Sequence, residues 1–185
     1  ITARKRADQL IQESTQRLAL LFQQTPLAVI EWDLNFRVVD WNPAAEKIFG
    51  YSKAEALGRH AAELIFPEKA QANVELIWDG LLAEQGGYRS TNENITRDGR
   101  TIFCEWYNTR QVNSDGQLIG VASLAQDVTV QKMAAERASY LAYYDDLTGL
   151  PNRILFQELL AQSFIEATRN SRLVGIMFLD IDHFK

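Results

Sequence analysis

Two Asp-Gly pairs, Asp98-Gly99 and Asp115-Gly116, divide residues 88–128 into three β-type runs, and no other feature restricts the fold as tightly. Asp-Gly between strand-like segments is a strong short-range hairpin signal, because both residues tolerate the positive φ that a tight turn needs. Runs 88–97, 101–112 and 118–128 therefore read as an antiparallel meander. In the middle run, period-two alternation sends Ile102, Cys104 and Trp106 to one face and Phe103, Glu105 and Tyr107 to the other. Two earlier runs, 27–32 and 36–41, flank the turn-rich Asp33-Leu34-Asn35 and read as a further hairpin.

Helical signals fill the space between these groups. Asn42 is placed as an N-cap with Pro43 at the first helical position, and Gly50 stops that helix. Ser52 with Glu55 three residues on has the form of a capping box. A longer helix is expected over residues 67–82, with Ala70, Val74, Ile77, Trp78 and Leu81 at helical spacing and Gly86-Gly87 closing it. The order β-β, several α, β-β-β is solved economically by one five-stranded antiparallel sheet with helices on one face. That is an α+β domain of about 100 residues.

Ahead of it, residues 1–25 form a helix with Ala7, Ile11, Ser14, Leu18 and Leu21 at alternating spacings of four and three. Such a seam serves either a coiled-coil dimer or an amphipathic helix folded back on its own domain. At 185 residues the chain holds one domain and part of a second. It opens on Ile1 and closes on Phe184-Lys185 just after an apolar run, which leads to the expectation that it is an internal piece of a longer protein. Net charge is −5, and no basic run exceeds Arg4-Lys5-Arg6, which argues against a nucleic-acid partner. No apolar run approaches the ~18 residues of a membrane span, and no signal-peptide pattern is present. The single cysteine, Cys104, excludes an internal disulfide and argues against a cysteine metal site. A cytoplasmic setting is expected, with any membrane anchor lying outside these residues.

Residues 26–128 resemble a PAS sensory domain. The resemblance is carried by Asp40-Trp41-Asn42-Pro43-Ala44, Phe49-Gly50-Tyr51-Ser52, Leu57-Gly58, Arg97-Asp98-Gly99, Cys104-Glu105-Trp106-Tyr107-Asn108-Thr109 and the closing Asp127-Val128-Thr129. It implies that Asp127 and Thr129 couple the sensor to an outgoing helix, although Thr129 by itself also fits an ordinary N-cap. Family members bind haem, flavin, small acids or nothing, so the fold does not name the ligand. Residues 67–87 contain no histidine, and Cys104 sits in a strand rather than a helix, so neither haem nor flavin is expected. His60, beside Gly58, is assigned to the surface or to a helix start. Trp32, Trp41, Trp78, Cys104 and Trp106 are the candidates to line a pocket for a small-molecule signal, with plain core packing as the alternative.

A connector helix of about 24 Å follows over residues 129–144, at 1.5 Å per residue. Next comes Asp145-Asp146-Leu147-Thr148-Gly149-Leu150-Pro151-Asn152-Arg153, a helix over 154–169, an apolar strand over 173–179, and Asp180-Ile181-Asp182-His183-Phe184-Lys185. These two motifs resemble the opening of GGDEF domains, the α/β modules that make cyclic di-GMP from GTP. A lone aspartate at a strand end is a turn former. The resemblance instead implies Asp180 as a Mg²⁺ ligand joined by the Ile181 carbonyl, with amides around His183 and Phe184 holding GTP phosphates. The Gly-Gly-Asp-Glu-Phe motif itself does not occur in these 185 residues, so no catalytic residue is assigned within them and the chain alone is expected to be inactive. The family works as a dimer, here through the flanking helices and the PAS domain. Two functions stay open: a regulated bacterial diguanylate cyclase, or a GTP-binding regulator of a following EAL phosphodiesterase. A histidine kinase is excluded, since Leu141-Ala142-Tyr143-Tyr144-Asp145 offers no phosphoacceptor histidine.

Overall fold

In the computed structural model, which describes residues 2–67, 69, 71–83 and 88–180, the chain divides into two units, Ile1–Lys132 and Met133–Lys185. The first opens with helix α1 (Thr2–Gln24). Ala7, Ile11, Ser14, Leu18 and Leu21 are all exposed on it, so the fold-back alternative is not what the chain adopts. The C-terminal end of α1 is anchored by Asn42, whose Nδ2 donates to the Phe22 carbonyl at 3.0 Å.

Strands β1 (Ala28–Trp32) and β2 (Val38–Trp41) form the first hairpin. Asp33 organises its turn by accepting from the Asn35 and Arg37 amides, each at 2.9 Å. Phe36 lies in that turn with φ 58°, which delays β2 by two residues relative to the apolar pattern. Helix α2 (Pro43–Phe49) begins as its signals require, with Asn42 Oδ1 accepting from Ala45 N at 2.9 Å. Helix α3 (Lys53–Ala56) carries the reciprocal Ser52–Glu55 capping box. His60 starts α4 (Ala61–Leu64) by accepting from Ala62 N through Nδ1 at 3.3 Å. Helix α5 (Gln71–Ala83) begins later than the periodicity suggests, and Gly86-Gly87 lie outside the described residues.

Strands β3 (Tyr88–Ile95), β4 (Thr101–Val112) and β5 (Leu118–Asp127) complete a sheet of order β2-β1-β5-β4-β3. The first and last strands thus meet at its centre, with Ile30 opposite Ser123 and Trp32 opposite Val121. Gly120 permits this approach, since a Cβ there would collide with the Trp32 carbonyl oxygen. Ala28, Ile30, Trp32, Ile102, Cys104, Trp106, Val121 and Ala125 face a core shared with α2 to α5, whereas Tyr107 and Leu124 remain exposed on the opposite face. All helices between the two strand groups therefore cover one side.

Helix α6 (Thr129–Tyr143), within which the two units divide, is followed by α7 (Arg153–Arg169). The expected strand over 173–179 does not form; these residues carry no regular structure, and Leu173, Met177, Phe178 and Leu179 are exposed. An apolar run becomes a strand only when a neighbour completes its ladder, and among the described residues none pairs with it.

Candidate functional site

The inner face of the sheet turns polar beyond its apolar half. Continuing the buried phase of β4 past Trp106 reaches Asn108, which pairs with Ser123 on β5, while β3 contributes Ser90, Asn92 and Asn94. Between these residues and α5 lies a cavity of about 20 Å³. Among the described residues its apolar wall is Trp32, Phe36, Phe66, Trp78, Leu81 and Trp106, and its polar wall is Ser90, Asn92, Asn108 and Ser123. That volume is on the scale of one or two waters.

Three of the five residues singled out from sequence, Trp32, Trp78 and Trp106, border this cavity. Trp41 does not border it: its ring packs on Phe49 at 5.5 Å and its Nε1 donates to the Tyr51 carbonyl at 3.1 Å. Cys104 is fully buried in the core rather than on the wall. Burial, and secondarily the negative charge of Asp127, push its thiol up to about 12, which leaves it a small apolar residue without thiolate reactivity. Sequence reasoning missed the polar wall, although the alternation that ran through Ile102, Cys104 and Trp106 already placed Asn108 inward.

Two hydrogen-bond chains dress the wall. Trp32 Nε1 donates to Ser123 Oγ at 2.9 Å, and Ser123 Oγ donates to Asn108 Oδ1 at 2.6 Å. Separately, Trp106 Nε1 donates to Asn94 Oδ1 at 3.1 Å, and Asn94 Nδ2 donates to the Ile65 carbonyl at 3.0 Å. On the outer side of Phe36 and Trp78 a surface cleft of about 210 Å³ is lined also by Leu34, Asn35, His60, Asp79 and Leu82.

The exit from the sheet is a compact knot. Thr129 Oγ1 donates to Asp127 Oδ1 at 2.5 Å and accepts from Phe103 N at 2.8 Å, while Asp127 Oδ1 also accepts from Thr129 N at 2.9 Å. Val128 N donates to the Phe103 carbonyl at 2.8 Å, and Lys132 Nζ lies 3.6 Å from the centre of the Phe103 ring. Thr129 thus spends its hydroxyl on β4 instead of capping α6, so the first turn of α6 is tied to two strands at once.

In the second unit, the motif that opens on Asp145 is a structural joint. Asp145 Oδ1 accepts from Thr148 N at 2.9 Å and Thr148 Oγ1 at 2.7 Å, and these bonds hold its carboxyl below the usual range. Asn152 Oδ1 accepts from Ile154 N and Leu155 N to start α7, while its Nδ2 donates to the Ala142 carbonyl at 2.9 Å at the end of α6. Gly149 supplies the left-handed φ of 68° that closes the loop. Asp180 is exposed at the end of the described stretch, and Ile181, His183 and Phe184 lie outside it. Among the described residues no three His, Cys, Asp or Glu side chains converge to hold a metal ion, so no step of phosphoryl transfer follows from them. Nor is any helix among them long and apolar enough to cross a membrane.

Comparison with known proteins gives these features a context. The family description "PAS fold" matches residues 16–128, and "Diguanylate cyclase, GGDEF domain" matches residues 142–185. A probable diguanylate cyclase of Escherichia coli, DgcE, is 25% identical over 193 residues, covering 100% of this chain and 17% of its own length. The cyclic di-GMP phosphodiesterase PdeB of Shewanella oneidensis is also 25% identical, over 175 residues, covering 95% of this chain and 20% of its own length. The crystal structure of a PAS domain from Colwellia psychrerythraea superposes with a TM-score of 0.59 at 21% identity, covering 63% of this chain and 98% of that one.

Proposed function

Because the chain belongs to the PAS-fold family and carries the start of a GGDEF domain behind that fold, we propose that it senses a small molecule and sets the rate of cyclic di-GMP turnover in its parent protein. The observation that carries this reading is the knot of Asp127, Thr129 and Phe103, which makes the first turn of α6 answer to the central strands. A change in the cavity that shifts β4 against β5 reaches α6 through three short hydrogen bonds rather than through a flexible linker. Helix α6 leads into the Asp145–Asn152 joint, whose bonds to the end of α6 and the start of α7 transmit a rotation with little slack. A ligand other than haem or flavin is expected, since residues 67–87 contain no histidine and Cys104 lies in a strand.

The parent acts as a cytoplasmic homodimer paired through α1, α6 and the PAS domain, with one GTP in each GGDEF domain. In that setting Asp180 and the Ile181 carbonyl would hold Mg²⁺, and the amides near His183 and Phe184 would hold the triphosphate; the ion supplies charge stabilisation at the transferring phosphorus. In the full-length parent, Asp180→Asn is expected to lower cyclic di-GMP synthesis by orders of magnitude with an unchanged thermal melt, whereas His183→Ala leaves most activity intact. Near-normal synthesis by Asp180→Asn would overturn the metal role.

The equal identity to a phosphodiesterase favours a second reading, in which the GGDEF domain binds GTP and regulates a following EAL domain. A parent that hydrolyses cyclic di-GMP faster with GTP, and makes none, decides for that alternative.

A further inference from the structure

Helix α1 delivers the chain to the start of β1, and α6 takes it from the end of β5. Because β1 and β5 are antiparallel neighbours, both attachments lie at one end of the central strand pair. We infer, resting on the sensory reading of the output knot, that α1 is a second input: the way it pairs with a second copy of the chain is relayed through Asn42, β1 and β5 to the first turn of α6.

Asn42 fastens the end of α1 to the sheet. Its side chain is fully buried; Oδ1 accepts from Val29 N and Ala45 N, each at 2.9 Å, and Nδ2 donates to the Phe22 and Leu27 carbonyls at 3.0 and 2.9 Å. Backbone N–H groups can only donate and carbonyls can only accept, so a turned amide would meet a mismatch at every one of these partners. Asn42 N also donates to the Val29 carbonyl at 3.1 Å. The residues between α1 and β1 add no hinge: Thr25 N donates to the Leu21 carbonyl at 3.1 Å, Pro26 has a fixed φ, and Leu27 N donates to Thr25 Oγ1 at 3.3 Å.

From that anchor the route to α6 is short. Ala28 lies opposite Ala125 and Val29 opposite Leu124. Asp127 stands two residues beyond Ala125, about 7 Å at the rise of a strand. There Thr129 Oγ1 donates to Asp127 Oδ1 and accepts from Phe103 N at 2.8 Å. Each link from the Phe22 carbonyl to Thr129 is thus a hydrogen bond or a short piece of paired strand, and none of these residues belongs to the cavity wall. The seam of α1 stands clear of the core. Ile11, Leu18 and Leu21 are 62–65% exposed at heptad spacing, so a second copy that covers them fixes the rotation of α1 about its own axis.

The test joins two copies of the 185-residue chain by a disulfide at Leu18→Cys or, separately, at Leu21→Cys, neighbouring seam positions that lock α1 at different rotations. The native Cys104 is fully buried and does not compete. Amide hydrogen exchange is followed at Phe103 and at residues 129–132, each linked dimer being compared with its own reduced form. The effect of linking is expected to differ several-fold between the two dimers at these amides. Asn42→Ser should abolish the difference, since its shorter hydroxyl still caps α2 but cannot hold both the Phe22 and Leu27 carbonyls. Should Asn42→Ser fail to fold, two glycines inserted between Gln24 and Thr25 part α1 from the anchor and are expected to abolish it equally. The inference is overturned if the two linked dimers respond alike, if the difference survives the loosened link, or if neither cysteine forms a disulfide, which means that α1 meets no second copy. A several-fold difference in exchange without any change in the parent's cyclic di-GMP turnover upholds the relay and sinks the reading that α6 controls output. Turnover that answers to a small molecule while the two linked dimers respond alike sinks the relay alone.

Discussion

Asn42 shows how much one buried side chain can be asked to do. Its oxygen accepts from Val29 N and Ala45 N, each at 2.9 Å, and its nitrogen donates to the carbonyls of Phe22 and Leu27 at 3.0 and 2.9 Å. An N-cap needs only the bond to Ala45; the other three tie the end of α1 and the start of β1 to the same point. Asn42→Ala should therefore cost more than the ~1 kcal/mol of an ordinary lost cap, about 2–4 kcal/mol, because buried partners are left unpaired. Urea unfolding followed by tryptophan fluorescence measures this, and a loss no larger than an ordinary cap would reduce Asn42 to that role.

At the level of elements, the knot between β4, β5 and α6 is where sheet and output helix meet. Thr129→Val keeps the shape and removes the hydroxyl, so the Phe103 amide loses its acceptor at 2.8 Å. The expected cost is about 1–2 kcal/mol, with faster hydrogen exchange at Phe103 and in the first turn of α6, while exchange in the β1–β2 hairpin stays unchanged. Uniform acceleration across the domain would mean that the residue merely stabilises the fold. The start of α5 and the run 173–179 show where element reading reaches its limit. Helical periodicity does not mark the residue at which hydrogen bonding begins, and an apolar run does not contain its own partner strand.

For the whole molecule, α1 presents Ile11, Leu18 and Leu21 at 62–65% exposure, an apolar stripe that a second copy would cover. Sedimentation at high micromolar concentration is expected to show self-association, and Leu18→Glu is expected to shift the chain toward monomer with little change in its melt, since that side chain is 64% exposed. A purely monomeric wild type would remove α1 from the proposed dimer.

Most of the local architecture was legible in the residues. Asp-Gly turns, the Asn42-Pro43 start, the Ser52–Glu55 box and the alternation of β4 each rest on interactions between near neighbours, which any chain with those residues would make. The motifs at Asp127–Thr129 and 145–153 were likewise visible as strings. What the strings did not disclose was that Thr129 reaches across to Phe103, or that Asn152 binds α6 as well as α7. Tertiary structure alone decided that β1 and β5 are neighbours, because that pairing joins residues about ninety positions apart and depends on Gly120 admitting the Trp32 carbonyl. It also decided which tryptophans face the cavity. Periodicity assigns a side chain to a face, but the direction of a hydrogen-bond chain is set by partners that only folding brings within 3 Å.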